Sequence, residues 1–207
     1  MGLIHIDLFT TLDGVAQAPG GPDEDPAGGF AFGGWQAPLI DEVVGEQIQS
    51  GMAEMDALLL GRRTYDIFAA YWPHANGEIA RLFNRIQKYV ASRGTPALEW
   101  AGSTLLGPDV AAAVRELRDR HEHVHVIGSL DFVQTLFAEQ LFDRLTLWVY
   151  PILLGSGKKV FADGVVPTNL RLIEPVVASP KGAVLQRYAL ADGTPGVGDM
   201  SAVTQEG

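Results

Sequence analysis

Asp56-Ala57-Leu58-Leu59-Leu60-Gly61-Arg62-Arg63-Thr64-Tyr65-Asp66 puts three structural signals side by side. Ala57 to Leu60 is an unbroken apolar run, long enough for a strand buried on both faces and too short for a helix. Gly61 follows, where a chain leaving a strand often needs a backbone without Cβ. Arg62, Arg63 and Thr64 then open a helix through Tyr65, Phe68 and Ala69. A buried strand, a glycine turn and a helix start with two guanidinium groups and a hydroxyl form an anion-binding corner. Free N–H groups and the positive end of the helix dipole point at the ligand, and the guanidinium forks add bidentate grip.

Two further strand ends carry the same chemistry. Ser92 and Arg93 follow the apolar strand ending at 92, and Gly128-Ser129 follows the strand at 124–127 and opens a helix. The carboxyl ends of parallel strands line the ligand crevice of an open sheet. Taken together, the three ends suit a ligand with several phosphates. Taken singly, each is an ordinary cap or a solvated arginine.

The rest of the chain builds a sheet around these corners. Leu3 to Phe9 alternates, with Ile4, Ile6 and Leu8 on one face and His5 and Asp7 on the other beside Leu3 and Phe9. Asp13-Gly14 marks the turn that ends it. Residues 18–34 form a long Gly/Pro/acidic loop, a length that marks function or disorder. Phe30, Phe32 and Trp35 suit a loop that closes over something apolar. Pro38 starts a helix through Val44, Ile48, Met52 and Met55. Helices follow near 63–71 and 78–86, from Asp109, and from Ser129. Strands follow at 88–92, more weakly at 98–106, then at 124–127 and 145–150. Two late strands near 170–178 and 183–190 pair as a hairpin. The expected fold class is α/β: one domain over 1–190, with a mixed, mostly parallel central sheet, helices on both faces and a C-terminal antiparallel hairpin. Residues 191–207 read as a loose tail.

The 207 residues are 47% hydrophobic, enough for the core of one such domain. The absence of cysteine excludes disulfides and thiolate metal sites. No basic and apolar leader opens the chain and no run of about 18 apolar residues occurs, so a cytoplasmic protein is expected. A formal net charge of −10 argues against a nucleic-acid or anionic-membrane surface. It leaves a small anionic ligand open, because the few arginines can gather in one cleft.

Common nucleotide and hydrolase signatures are missing. Neither Leu153 nor Ile152 supplies the glycine that a Walker A loop needs before Gly157-Lys158, and Lys159 replaces the following hydroxyl residue. No G-x-G-x-x-G follows a strand, and no G-x-S-x-G is present. His121, His123 and His125 alternate at a helix-to-strand junction. A zinc site would need a third ligand and an organised outer shell, so no metal is assigned. Asp23-Glu24-Asp25 lacks calcium-loop spacing. Asp13 and Asp41 are the acid candidates, with a turn residue and a helix-start carboxylate as their structural alternatives.

Five motifs in order resemble the dihydrofolate reductase fold family over about residues 2–190. They are Thr11-Leu12-Asp13-Gly14, Leu60-Gly61-Arg62-Arg63-Thr64-Tyr65, Val90-Ala91-Ser92-Arg93, Ile127-Gly128-Ser129 and Pro151-Ile152-Leu153-Leu154-Gly155-Ser156-Gly157. The chain is most similar to the branch holding the reductase domain of the riboflavin-biosynthesis deaminase-reductase and its stand-alone relatives. The resemblance implies an NADPH-dependent reductase, often a homodimer. Arg62, Ser92 and Arg93 would hold the adenosine 2′-phosphate. Gly61, Thr64, Gly128, Ser129 and Leu130 would hold the pyrophosphate. The nicotinamide would lie near Asp13 and the long loop, with Leu154 and Gly155 beside the substrate. Asp41, preceded by Trp35, is the candidate for the carboxylate that dihydrofolate reductases carry on the first helix, although the segment from Asp41 to Gly61 is longer than in that pattern. The deaminase half is absent. The acidic, glycine-rich loop is unlike the riboflavin enzyme's and suggests a different substrate.

The expectation is hydride transfer from NADPH to a small heterocyclic or carbonyl/imine substrate, pterin- or ribosylaminopyrimidine-like. Phe30, Phe32 and Trp35 would cover the substrate, and Asp13 or Asp41 would orient it or relay a proton. The alternatives are a nucleotide-binding module with no reductase activity and, third, a metal-dependent hydrolase at His121 to His125.

Overall fold

The computed structural model describes residues 1–199. Strands β1 (Leu3–Thr11), β2 (Ala57–Gly61), β3 (Gln87–Ala91), β4 (Ser103–Leu105), β5 (His123–Val126) and β6 (Arg144–Tyr150) run parallel in the spatial order β4-β3-β2-β5-β1-β6. Parallel neighbours need long crossovers. Helices α1 (Glu42–Gly51), α2 (Arg62–Tyr71), α3 (Glu78–Arg85), α4 (Val110–Leu117) and α5 (Leu130–Ala138) lie within them. β9 (Val184–Leu190) pairs antiparallel with β6, β7 (Leu170–Leu172) and β8 (Val177–Ala178). The late hairpin is therefore β8 with β9, and β9 lies inside the sheet between β6 and β7.

Alternation along β1 separates the two layers. Ile4, Ile6 and Leu8 join Leu59 and Val126 against Val114 and Leu117 of α4 and Val133 and Leu136 of α5. On the opposite face Leu58 and Leu60 pack with Tyr65 of α2, Phe83 of α3 and Trp100. Farther along that face Trp148, Tyr150 and Leu185 pack with Trp35 and with Val44 of α1. Every residue of β2 is buried, as its unbroken apolar run requires. Each such leucine contributes about 2 kcal/mol through burial.

Local differences from the sequence reading have local causes. Pro38 sits in a short 3-10 turn, Ala37–Leu39, and α1 begins later. The Asp41 carboxylate accepts the Val44 N–H at 3.0 Å and so fixes the helix start at Glu42. The weak strand near 98–106 shortens to Ser103–Leu105. Residues 191–199 carry no helix or strand, and the rest of the expected tail, 200–207, lies outside the described residues. Among the described residues no helix is long and apolar enough to cross a membrane.

Lys88 of β3 is fully buried. Its ammonium donates to the Phe83 carbonyl at 3.1 Å, at the carboxyl end of α3, and lies 4.6 Å from the centre of the Trp100 ring. The helix dipole and the aromatic face both favour the cation there. Burial nevertheless pushes its pKa down to about 8. The unfolded chain then binds more protons than the folded one between that value and the ordinary lysine range, so stability rises with pH through this window. Urea unfolding at pH 7 and pH 9.5 should show wild type gaining about 2 kcal/mol relative to Lys88→Met. An equal response of the two proteins would exclude Lys88 as the titrating group.

Candidate active site

The carboxyl ends of β2 and β5 meet at two glycines. The Gly61 N–H donates to the Gly128 carbonyl at 3.0 Å. A Cβ on Gly61 would stand 2.1 Å from Ser129 Oγ, and one on Gly128 would stand 2.6 Å from Thr64 Oγ1. Gly128 also has a φ of 140°, which L side chains rarely adopt. The Gly128-Ser129 peptide bond is cis. This close approach sets the N-termini of α2 and α5 side by side. No side chain caps either of them, whereas Asp41 caps α1 and Asp109 caps α4. The first-turn N–H groups of α2 and α5 are left for another acceptor, and the dipoles favour a negative one.

A cavity of about 290 Å³ opens at this point. Arg63 and Thr64 wall it from α2, Gly128, Ser129 and Leu130 from the start of α5, and Asp7 to Phe9 from β1. The fourth wall is the long loop, through Ala16 to Gly20 with Glu24 and Asp25. The loop is tied down by charge. Asp25 pairs with Arg63 Nη1 at 2.9 Å and with Lys158 Nζ at 2.8 Å. The Gln17 amide donates to the carbonyls of Asp25 and Ala27, and Trp35 Nε1 donates to the Gln17 carbonyl at 2.8 Å.

A second cavity of about 410 Å³ runs beneath the carboxyl half of α1. His5, Asp7, His123, His125, Arg144 and Arg187 line it, and Asp7 and Phe9 belong to both cavities. Asp7 Oδ2 is 2.6 Å from His125 Nδ1. His5 stacks on His125 with ring centres 4.4 Å apart, and its Nε2 lies 3.2 Å from His123 Nδ1. Burial, reinforced by His125, pushes the His5 pKa down to about 4. Burial alone would raise the Asp7 carboxyl. The adjacent His125 ring and its hydrogen bond outweigh that effect and hold the carboxyl below the ordinary carboxylate range.

Of the residues expected at the site, Thr64, Gly128, Ser129 and Leu130 converge on the first cavity, with Gly61 directly beneath Ser129. Arg62 turns away to pair with Asp66 at 2.6 Å, and its neighbour Arg63 faces the cavity. Successive helical residues point about 100° apart, so the two arginines cannot share one direction. Ser92 and Arg93 stand at the adjacent strand end, since Ala91 pairs with Gly61, but they line neither cavity.

Asp13 and Asp41 are occupied with holding the backbone. Asp13 accepts the Thr11 hydroxyl and the N–H groups of Leu154 and Gly155. The Thr11 hydroxyl, with these backbone donors, holds its carboxyl below the ordinary range. Asp41 also accepts the Lys181 N–H at 3.0 Å. Neither carboxylate lines a cavity. Phe30 and Trp35 are buried in the core with Tyr150, and Leu154 packs against the same cluster, while Phe32 is exposed beside Phe30. Phe30 and Trp35 anchor the loop in the core, and none of the three aromatics lines the cavity. His121 is 2.9 Å from the Tyr89 hydroxyl and does not line the cavity that holds His123 and His125. Among the described residues no group of three or more His, Cys, Asp or Glu could hold a metal ion.

From the sequence, Asp7 takes no role, His125 is weighed only as a metal ligand and Lys158 only against a Walker A loop, and Arg63 stands in the anion corner without being chosen over Arg62. Asp7 carried one signal: a carboxylate in the middle of a central strand, on a face that folding buries.

The mixed sheet with an antiparallel strand beside β6 and a cleft at the ends of β2 and β5 has the dihydrofolate reductase-like fold. The dihydrofolate reductase of Enterococcus faecalis, solved with NADP(H), aligns at a TM-score of 0.58 and 14% identity, over 92% of this chain and 98% of that one. A putative riboflavin biosynthesis protein from Shewanella sp. PV-4 aligns at a TM-score of 0.67 and 16% identity, over 92% and 99%. The RibD C-terminal domain model matches residues 3–183, and the chain belongs to that family. YyaP of Bacillus subtilis is 23% identical over 180 residues, covering 82% of this chain and 86% of that protein. Family and neighbours point to a reductase.

The Asp25 ion pairs predict a mobile loop once they are broken. Asp25→Asn should speed amide hydrogen exchange over residues 18–34 by about tenfold, the equivalent of about 1.4 kcal/mol of local stability. Unchanged exchange would show that Gln17 and Trp35 hold the loop without Asp25.

Proposed function

We propose that the protein is an NADPH-dependent reductase that transfers hydride to a small heterocyclic or carbonyl/imine acceptor, pterin- or ribosylaminopyrimidine-like. One observation carries the reading: two uncapped helix N-termini, with Thr64 and Ser129, face one cavity at the ends of β2 and β5. Backbone donors, hydroxyls and side-chain-free glycines are what a dinucleotide pyrophosphate requires. Thr64, Gly128, Ser129 and Leu130 would hold it. The adenosine 2′-phosphate would fall to Arg62, Ser92 and Arg93, at or just beyond the ends of β2 and β3. The loop wall from Ala16 to Gly20 would close over the nicotinamide.

The bound dinucleotide supplies the hydride. The chain's own task is to orient the acceptor and keep water out. Asp13 and Asp41 support the site from behind, by fixing the turn at Leu154-Gly155 and the start of α1.

Titration with NADPH and NADH should show a preference for NADPH. Arg62→Ala and Arg93→Ala should each weaken NADPH about tenfold and leave NADH nearly unchanged, since each removes a phosphate contact of about 1.4 kcal/mol. Absence of binding, or equal affinity for the two, would overturn the 2′-phosphate assignment.

A further inference from the structure

The second cavity is polar where the sheet face should be apolar, and its inner end is a carboxylate-imidazole pair. Asp7 lies in the middle of β1, Thr146 in β6 and His125 in β5. The Asp7 carboxylate is bound to His125 Nδ1 at 2.6 Å and also accepts the Thr146 hydroxyl. The His125 side chain is 3% exposed and that of Asp7 21%, so the carboxylate is the member that looks outward. Asp7 lies where the dinucleotide-type cavity and the groove beneath α1 meet, and both have it in their walls. A purely structural buried pair has no need to stand at that junction. The groove itself has the volume of a small-molecule site.

Resting on the reductase reading, we propose that Asp7 is the acid-base residue facing the acceptor, and that His125 behind it stores the proton that the reduction consumes. The acceptor carbon takes a hydride, with the reduced nicotinamide as its source. The π pair of the C=N or C=O bond moves onto the nitrogen or oxygen. That atom takes the proton of the pair through Asp7. The imidazolium-carboxylate pair becomes a neutral imidazole beside a carboxylate, and solvent returns the proton along the groove.

The surroundings suit this role. The charged and titratable groups facing the pair across the groove are His5 from β1, His123 from β5, Arg144 from β6, Arg187 from β9, Glu174 and Glu54. The first cavity adds Glu24, Asp25, Arg63, Asp131 and Lys158 on the other side of Asp7. Arg187 is neutralised by Glu174 at 2.8 Å. His5, with its pKa pushed down to about 4, stays neutral and does not compete for the proton. His123 lies 3.6 Å from the exposed Glu54, and both line the same groove.

The test combines ring NMR with single-turnover kinetics. In wild type the His125 Nδ1 proton should resonate far downfield because of its short bond to Asp7, and Asp7→Asn should remove that displacement. Oxidation of bound NADPH by 7,8-dihydropterin or 1,4-naphthoquinone should slow as pH rises, because the step consumes a proton. Asp7→Asn and His125→Gln should keep NADPH affinity within about threefold, slow this step about 100-fold and abolish its pH dependence. Wild-type rates in both variants would overturn the proposal. A wild type that oxidises NADPH with neither acceptor defeats the reductase reading instead. The ring NMR of wild type and Asp7→Asn then still decides on the pair: the absence of an Asp7-dependent downfield His125 Nδ1 proton overturns it, and its presence upholds it.

Discussion

The structure depends on how closely the ends of β2 and β5 approach. One hydrogen bond, Gly61 N–H to Gly128 carbonyl, joins them, and Ser129 Oγ and Thr64 Oγ1 fill the space that two methyl groups would otherwise take. Any side chain at either glycine separates the strands. The starts of α2 and α5 would separate with them, because α2 begins directly after β2 and α5 begins directly after Gly128-Ser129. The cavity, its hydroxyls and its backbone donors all follow from that single constraint.

Burial around this point is divided by chemistry. β2 is apolar on both faces and stiffens the sheet where the ligand corner is built. β1, two strands away, is apolar toward α4 and α5 and polar toward the groove. The interior of that second face pays for its polar groups with hydrogen bonds: Asp7 to His125 and Thr146, and His5 to His123. Lys88 follows the same rule on its own side of the sheet, using helix carbonyls and an aromatic ring instead of a carboxylate.

Features encoded by adjacent residues were legible in the sequence. The buried strand, the glycine turn and the Gly128-Ser129 helix start each lie within a few residues, and each signal is a backbone requirement. The mostly parallel sheet and its antiparallel C-terminal strands followed from the same local signals, whereas the spatial order of the strands did not. Features that depend on distant partners were not legible. His125 is 118 positions from Asp7, and only the parallel pairing of β1 with β5 brings them together. The choice between Arg62 and Arg63 depends on helix phase and on Asp66 one turn away. Phe30 and Trp35 were ambiguous because an apolar residue in a loop serves a ligand or a core equally well, and Tyr150, far along the chain, is what draws Trp35 inward.

Asp25 gives the loop an unusual kind of closure. Arg63 and Lys158, cations at the cavity wall, are held by a carboxylate that belongs to the lid itself. An anion in the cavity and the lid's own carboxylate therefore draw on the same two cations. Thermodynamic linkage makes the two effects reciprocal: the free energy by which an anion loosens the loop equals the free energy by which the closed loop disfavours the anion.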